Sequence, residues 1–304
     1  MLKIEKYGAI DIGTNAIRLL IATVIKKAGV PPQIKKTSLV RVPIRLGVDV
    51  FLKGEISESN YKRMRDAMNA FSLLMKTHYV KRFRACATSA MREAKNGKSI
   101  RKSILKETGI NIQIISGTDE AAIIASTDLM DLLNTNNAFL YVDVGGGSTE
   151  FTVFSNKQTI VSKSFKLGTV RILNEQVGES TWDNVKKWIK KNTKNYEKIS
   201  LIGSGGNINS IYKNSREKSG KPLTYFYLSE YYKKLKSYNY EQRIFNLKMN
   251  PDRADVIVPA AKIYLSSMKW SKAKDIYVPK IGLSDGIIKT LYNEQAAKDI
   301  EVVF

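Results

Sequence analysis

The chain has 304 residues, and 50 lysines and arginines against 28 aspartates and glutamates give it a net charge of +22. Its single cysteine, Cys86, and single histidine, His78, exclude internal disulfides, cysteine-based zinc sites and a histidine metal cluster. Any general base is therefore expected to be a carboxylate. The length allows two domains with separate cores.

The first predicted elements lie in the apolar stretch AIDIGTNAIRLLIATVI. This stretch carries Asp11, Asn15 and Arg18, which exclude a membrane span, and no signal-peptide pattern precedes it. With the single cysteine, this predicts a cytoplasmic protein that does not bind membranes. His78 is predicted at the surface end of a helix, and Cys86 as a small buried residue.

Four further sequence stretches of the first half predict secondary structure. The pattern predicts a third strand ending at Gly47, a long helix, a strand that runs into a turn of small residues, and a final strand and helix. Their sequences are KTSLVRVPIRLG, ESNYKRMRDAMNAFSLLMKT, FRACATSA and INIQIISGTDEAAIIASTDLMDLL.

The stretch YVDVGGGSTE repeats the first strand and turn. In the alignment of the two stretches, Asp143 corresponds to Asp11 and Gly145 to Gly13, at an offset of 132 residues. Consecutive glycines are common in plain hairpin turns. Three glycines with flanking acids favour a phosphate-binding loop instead, because a turn without Cβ atoms can face its amides toward a bulky anion. The later elements repeat as STEFTVFS, QTIVSKSFKLG ending at Gly168, WDNVKKWIKKNT, KISLIGSGGN and AKDIYVPKIGLSDGIIKTLYNEQ.

Three meandering strands followed by helix, strand, helix, strand and helix are the order of a ribonuclease H-like half-domain. The α/β fold expected is therefore a duplicated ribonuclease H-like, or actin-like, pair of domains that face each other across a cleft. The expected domains are residues 1–124 and 125–304, with the last helix packing back on the first domain. The two Asp-Gly hairpins would then act as the two jaws of a phosphate clamp.

The finer motifs resemble the exopolyphosphatase / guanosine pentaphosphate phosphohydrolase family over residues 7–290. The motifs occur in the order ACATSAMREAKN, IISGTDEAAI, DVGGGSTE, KLGTVR, IGSGGN and RADVIVP. The chain departs from the family pattern at Thr14, Ala16, Asp119, Asn207 and Ala260. It lacks the helical C-terminal domains of longer relatives, so it resembles the short, two-domain branch. The resemblance implies a phosphoanhydride hydrolase.

The same resemblance assigns two catalytic residues. Glu120 matches the family's catalytic base and would orient the attacking water; the plain alternative is a first-turn glutamate that favours the helix dipole. Arg92 matches an arginine that contacts the terminal phosphoryl group; the alternative is a solvated helix arginine. Asn96 would position Arg92 or cap the local turn.

Two carboxylates flank the triglycine loop. Asp143 and Glu150 are hard oxygen ligands beside expected phosphates, which predicts a Mg²⁺ site. Asp11 is their symmetric partner and would either bind the ion through water or brace its own hairpin. The expected phosphate-binding residues are Thr14, Asn15, Gly145, Gly146, Gly147, Ser148, Thr149, Arg171, Gly205 and Gly206, of which Arg171 rests on the family resemblance.

The expected substrate is inorganic polyphosphate, because a long polyanion would meet many surface lysines while a nucleotide would meet few. Hydrolysis of pppGpp to ppGpp, a non-catalytic polyphosphate or alarmone sensor and a sugar or acetate kinase stay open as alternatives. Nucleic acid is disfavoured, since YYKKLKSYNYEQR is predicted to form an amphipathic helix with its tyrosines inward rather than a stacking surface. A homodimer is an open option by analogy with relatives.

Overall fold

The computed structural model describes residues 2–27, 29–127, 137–215, 217–218 and 220–301. The chain forms two compact units. Unit 1 comprises Met1–Thr127 together with Gly282–Phe304, and unit 2 comprises Asp128–Ile281. The last helix therefore belongs to the first unit.

Unit 1 is built on a five-stranded sheet with the order β3-β2-β1-β4-β5. The first three strands form an antiparallel meander, and β4 and β5 are parallel to β1. The strands are β1 Leu2–Ile12, β2 Ile17–Lys27, β3 Val30–Val42, β4 Arg82–Ala87 and β5 Ile112–Ile114. The helices are Leu46–Lys53, Glu58–Thr77, Ser89–Glu93, Gly97–Thr108, Gly117–Ala125 and Leu283–Glu301.

The helix Leu283–Glu301 covers one face of this sheet. Its residues Leu283, Ile287, Ile288 and Leu291 share a buried cluster with strand residues that include Cys86. Arg84 on β4 also contacts Glu294 of this helix, with a shortest N–O distance of 2.7 Å. The apolar contacts hold the helix, because exposed ion pairs contribute about 0–1 kcal/mol each.

Unit 2 is built on a six-stranded sheet with the order β10-β11-β9-β6-β7-β8. Its strands β6, β7 and β8 form the antiparallel meander, and β9 and β11 are parallel to β6. The strands are β6 Ala138–Val144, β7 Thr149–Ser155, β8 Gln158–Phe165, β9 Ile199–Ser204, β10 Leu223–Thr224 and β11 Asp275–Tyr277. The helices are Thr169–Leu173, Glu179–Thr193, Gly206–Ser215, Tyr225–Ser237, Tyr240–Phe245, Pro251–Ala254 and Ile257–Ser271.

The two sheets share the same strand order and directions, apart from the short edge strand β10, so the predicted duplication is confirmed. The predicted helix at 58–77 is also confirmed; Ser57 caps it by accepting a hydrogen bond from the N–H of Asn60 at 3.3 Å. Cys86 is fully buried, and His78 lies partly exposed at the end of this helix.

Three local predictions are wrong. The third strand of unit 2, predicted to end at Gly168, ends at Phe165, and Gly168 is the N-cap of the helix Thr169–Leu173. Gly47 does not end a strand: β3 stops at Val42, and Gly47 lies inside the helix Leu46–Lys53. The run YYKKLKSYNYEQR is not one helix, because Asn239 forms a capping box with Gln242 and starts a second helix there. In the first of the two helices Tyr231 is buried, as the amphipathic pattern indicates.

No helix among the described residues combines the length and the apolar character needed to cross a membrane.

Candidate active site

The triglycine loop of unit 2 is a tight turn between β6 and β7. The N–H of Gly145 donates to the carbonyl of Ser148 at 2.9 Å and closes the turn. The carbonyls of Gly145 and Gly146 accept from Thr169 and Val170 at 3.0 and 2.9 Å. The short helix Thr169–Leu173 therefore holds the loop from one side.

Two amides of the triglycine loop have no partner within the described part of the chain. The N–H groups of Gly146 and Gly147 form no hydrogen bond there, although both glycines are buried. Buried backbone donors are almost always paired, with protein, water or ligand. Two such donors in one glycine-rich turn are a suitable place for an anion.

Gly168 permits the close approach of the short helix to the loop. A Cβ atom at this position would lie 2.2 Å from the carbonyl oxygen of Gly146. Arg171, one turn later, donates from Nε to the carbonyl of Gly147 at 2.7 Å. Arg171 is thus brought to the loop, as predicted, and its guanidinium is anchored there by a backbone contact.

The carboxylates that flank the loop lie opposite each other. Asp143 on β6 and Glu150 on β7 are register partners, so both side chains point to the same face of the sheet. Glu150 is 3% exposed, and its Oε1 accepts from Ser148 Oγ at 2.7 Å and from Ser164 Oγ at 2.9 Å. These hydroxyls fix the carboxylate beside the turn.

Thr149 contributes differently from the other loop residues. Its hydroxyl donates to the carbonyl of Leu167, and the residue is fully buried. Because a hydroxyl has one proton to donate, this side chain braces the strand after the turn.

The first hairpin has the same turn with a different charge pattern. The N–H of Gly13 donates to the carbonyl of Ala16 at 3.1 Å, as Gly145 does to Ser148. The register partner of Asp11, however, is Arg18, and their side chains form an ion pair at 3.3 Å. Burial raises the pKa of Asp11, and the Arg18 charge opposes that rise.

The predicted catalytic residues of unit 1 lie at the carboxyl ends of β1, β4 and β5. Arg92 donates from Nη1 to the carbonyl of Ile115 at 2.7 Å, and Thr14 Oγ1 lies 2.9 Å from Oγ of Ser89, the first residue of the helix Ser89–Glu93. Burial raises the pKa of the Cys86 thiol to about 11; Arg84 lowers it, while Asp11 and Glu120 raise it further. The negative charges of Asp11 and Glu120 are therefore both close enough to affect Cys86, near the end of β4.

The helix that carries Glu120 begins with a capping box. Ser116 Oγ accepts from the N–H of Asp119, and the Asp119 carboxylate accepts from the N–H and hydroxyl of Ser116 at 3.0 and 2.7 Å. These hydrogen bonds lower the pKa of Asp119. Asp119, where the family often has glutamate, thus fixes the turn that precedes Glu120.

Asn96 links two segments of unit 1 rather than capping the helix that follows it. Its side chain makes no cap of the helix Gly97–Thr108, and instead it pairs with both backbone groups of Ile56, at 2.8 and 3.0 Å. It ties the segment before the helix Glu58–Thr77 to the turn after Arg92.

Two side chains that sequence reasoning did not assign, Tyr264 and Arg253, contact the turn after β9. Gly205 has a φ of 103°, and a Cβ there would lie 3.1 Å from the Val144 carbonyl and 3.6 Å from the Tyr264 hydroxyl. Tyr264 donates to the Ser204 carbonyl; burial and the charge of Asp143 hold its pKa well above the ordinary range. Arg253 packs against Gly206, and the motif RADVIVP was the available signal for it.

The described residues contain no group of three or more histidine, cysteine, aspartate or glutamate side chains placed to hold a metal. Asp143 and Glu150 form a pair, which meets the needs of Mg²⁺, since this ion usually keeps several waters and takes one or two carboxylates.

Comparisons with known proteins agree with this fold and these motifs. The family model described as "Ppx/GppA phosphatase family" matches residues 24–294. A bifunctional 3-dehydroquinate synthase/phosphatase of Fusobacterium nucleatum is 36% identical over 236 residues, which are 67% of this chain and 34% of that protein. Exopolyphosphatase 2 of Mycobacterium tuberculosis is 31% identical over 177 residues, which are 56% of this chain and 54% of that protein. The chain thus spans about a third to a half of these curated relatives.

Solved structures show the same fold over nearly the whole chain. An exopolyphosphatase from Cytophaga hutchinsonii has a TM-score of 0.80 at 23% identity, and the match covers 95% of this chain and 98% of that one. A Ppx/GppA family member from Aquifex aeolicus has a TM-score of 0.76 at 23% identity, over 96% and 99% of the two chains. The duplicated ribonuclease H-like, actin-like fold is confirmed, and so is the resemblance stated from the motifs.

Proposed function

Because this chain belongs to the Ppx/GppA phosphatase family, we propose that it is an exopolyphosphatase, which hydrolyses the terminal phosphoanhydride bond of inorganic polyphosphate. The observation that carries the proposal is the triglycine turn. Its buried N–H groups of Gly146 and Gly147 have no acceptor among the described residues, and two carboxylates flank it. Amide donors beside hard oxygen ligands suit a phosphate that arrives with a divalent cation.

Asp143 and Glu150 are the residues proposed to hold Mg²⁺. Two carboxylates at facing positions repel each other, and a bound divalent cation would offset that repulsion. The first hairpin offers the contrast, since Arg18 already faces Asp11. Asp11 is therefore assigned to bracing its own hairpin rather than to the metal. When bound, Mg²⁺ supplies neutralisation of the phosphate oxygens.

Glu120 and Arg92 are the proposed catalytic residues. Glu120 would orient the attacking water and accept its proton. Arg92 would bind oxygens of the terminal phosphoryl group; its contact with the Ile115 carbonyl occupies one of five N–H donors and restrains the guanidinium. A restrained guanidinium loses less freedom when it binds two oxygens.

The remaining predicted residues divide by their contacts. Thr149 braces the strand, and Arg171 supports the loop through Gly147. Ser148 orients Glu150. Thr14, Asn15, Gly145, Gly205 and Gly206 remain proposed as phosphate-binding positions.

Polyphosphate is proposed as the substrate on two grounds. Relatives at 25% and 31% identity are exopolyphosphatases 1 and 2, and the net charge of +22 would attract a long polyanion more than a nucleotide. The second candidate is the hydrolysis of pppGpp to ppGpp, which the joint family description Ppx/GppA favours.

The test is phosphate release with Mg²⁺ from long-chain polyphosphate and from pppGpp, measured side by side. Glu120→Gln should reduce turnover by about 10²–10⁴ and keep substrate binding, which is the usual effect of losing a positioned acid–base group. The matched control is Glu58→Gln, since Glu58 is also a first-turn helix glutamate. If both variants lose less than a few-fold, Glu120 acts only on its helix. Binding without release from either substrate would indicate a sensor.

A further inference from the structure

Unit 2 contains a cavity at the end of its sheet opposite to the triglycine loop. The cavity has a volume of about 890 Å³, and Asn137, Ile199 and Asp275 place it at the starts of β6, β9 and β11. These strands are parallel, and the loop follows the other end of β6. Seven residues of strand at about 3.3 Å each separate the two places by about 20 Å.

The lining of this cavity is strongly basic, and we call it the lysine cavity. Five lysines line it together with two acidic residues, Glu197 and Asp275. The lysines are Lys190, Lys194, Lys198, Lys272 and Lys274. All five are exposed, and none of their ammonium groups forms a hydrogen bond or ion pair with any residue that the structure describes. Five ammonium groups without partners around one concavity repel each other, so a polyvalent anion would stabilise them.

The positions of these lysines are only partly explained by helix ends. Lys190 and Lys194 lie at the end of the helix Glu179–Thr193, where positive charge complements the helix dipole. Lys198 and Lys274 follow in connecting segments and have no such role.

Lys272 stands where glycine is the usual residue. It is the C-cap of the helix Ile257–Ser271 and adopts the left-handed conformation, with a φ of 62°. The left-handed conformation is strained for a residue with a Cβ atom, whereas glycine adopts it without this strain. Lys157, Lys248 and Lys280 adopt the same conformation outside the lining, so the backbone alone does not distinguish Lys272; its place in the lining does.

We propose that the lysine cavity binds an oligophosphate chain at a site separate from the triglycine loop. Its volume lies within the range of small-molecule sites, which is about 300–1,000 Å³. The positive charges in excess would attract a polyvalent anion such as a triphosphate, and Tyr196, Trp270 and Tyr277 add an aromatic lining. The anion could be inorganic or the phosphate end of a nucleotide. The site does not depend on the hydrolytic activity proposed above.

The proposal is tested by calorimetric titration of the full chain without Mg²⁺, with tripolyphosphate in one arm and GTP in the other. The double variant Lys190→Gln/Lys194→Gln should weaken binding by at least tenfold. The control Lys186→Gln/Lys187→Gln removes the same charge from the same helix at residues outside the lining and should change binding by less than twofold. Equal affinities would identify an inorganic chain as the ligand, and tighter GTP binding a nucleotide.

Lys272→Gly separates binding from folding. Glycine suits the left-handed position, so this variant should fold at least as well as the parent and still bind tripolyphosphate several-fold more weakly. The proposal is overturned if the cavity variants and the control lose affinity equally, because surface charge alone would then hold the anion. The proposal is also overturned if the cavity variants are less stable but bind tripolyphosphate as tightly as the parent, since the lysines would then serve only the helix ends.

Discussion

Replacing Glu150 with glutamine is expected to make the protein more stable without Mg²⁺ and less responsive to it. Glu150 faces Asp143 across two neighbouring strands, at 3% exposure. Facing side chains in a sheet have Cβ atoms about 5 Å apart, so carboxylates about 6 Å apart repel by about 3 kcal/mol at an effective dielectric constant of about 20. The variant removes this repulsion.

The gain is reduced by weaker hydrogen bonds. The glutamine oxygen still accepts from Ser148 and Ser164, but a bond to a neutral acceptor contributes about 1 kcal/mol less than one to a charged acceptor. A net stabilisation of about 1–2 kcal/mol remains. For a domain of about 150–250 residues this corresponds to a rise in Tm of about 2–8 °C.

The assay is thermal unfolding followed by circular dichroism, in EDTA and in excess Mg²⁺. The parent protein should gain about 2.7 kcal/mol when Mg²⁺ reaches about 100 times its Kd, and Glu150→Gln should gain much less. The matched control is Arg18→Gln, which leaves the buried Asp11 carboxylate without its ion pair. The free energy of unfolding of that variant should fall by about 2 kcal/mol, which is less than for a fully buried ion pair because Arg18 is partly exposed. The variant should keep the parent's gain in stability from Mg²⁺. A variant at Glu150 that is destabilised in EDTA, or that keeps the full gain from Mg²⁺, would refute the assigned metal site.

Two further predictions concern the turns that support the site. Gly168→Ala should reduce phosphate release at least tenfold, because its Cβ would lie 2.2 Å from the carbonyl oxygen of Gly146. The control is Gly178→Ala, which is also at a helix N-cap. The nearest atom to a Cβ at Gly178 is 3.9 Å away, so this variant should have no effect in the same assay. Ser116→Ala should lower the free energy of unfolding by about 1 kcal/mol in denaturant titrations at neutral pH. Hydrogen bonds from Ser116 lower the pKa of Asp119 below 3.8, so this contribution is present above that pH and is lost as the pH falls through the folded value. A constant difference down to pH 2 would show that the Asp119 carboxylate takes no part.

The duplication could be predicted from the sequence because its signals are short-range. A strand, a glycine turn and a second strand are written in consecutive residues, and the offset of 132 residues brings Asp143 onto Asp11 without any structure. The helix at 58–77 was predictable for the same reason, since its apolar period and Ser57 cap are local. Gly47 was misassigned because the strand pattern continues past Val42, where the chain turns into a helix.

The lysine cavity could not be predicted, because its lining comes from segments that are distant in sequence. Lys190, Lys198 and Lys272 each resemble ordinary solvated helix-end or loop lysines when taken alone. Because β6, β9 and β11 are parallel, the starts of the three strands lie at one edge of the sheet, and the lysines come together there. The role of Asp119 was missed for another reason: Asp119 was considered only as a substitution within the family pattern, although Ser116 and an acid three residues later are the local signature of a capping box.

The different charges of the two hairpins carry the strongest argument about the reaction. The offset that aligns Asp143 with Asp11 also aligns Glu150 with Arg18, and the register places each pair face to face. A duplicated turn that needed a carboxylate pair for folding would keep it in both copies. Unit 1 has a guanidinium at this position, so the turn folds without the second carboxylate. The turn alone does not explain the acid at Glu150, and we propose a phosphate-bound divalent cation as the partner that two facing carboxylates beside these amides fit best.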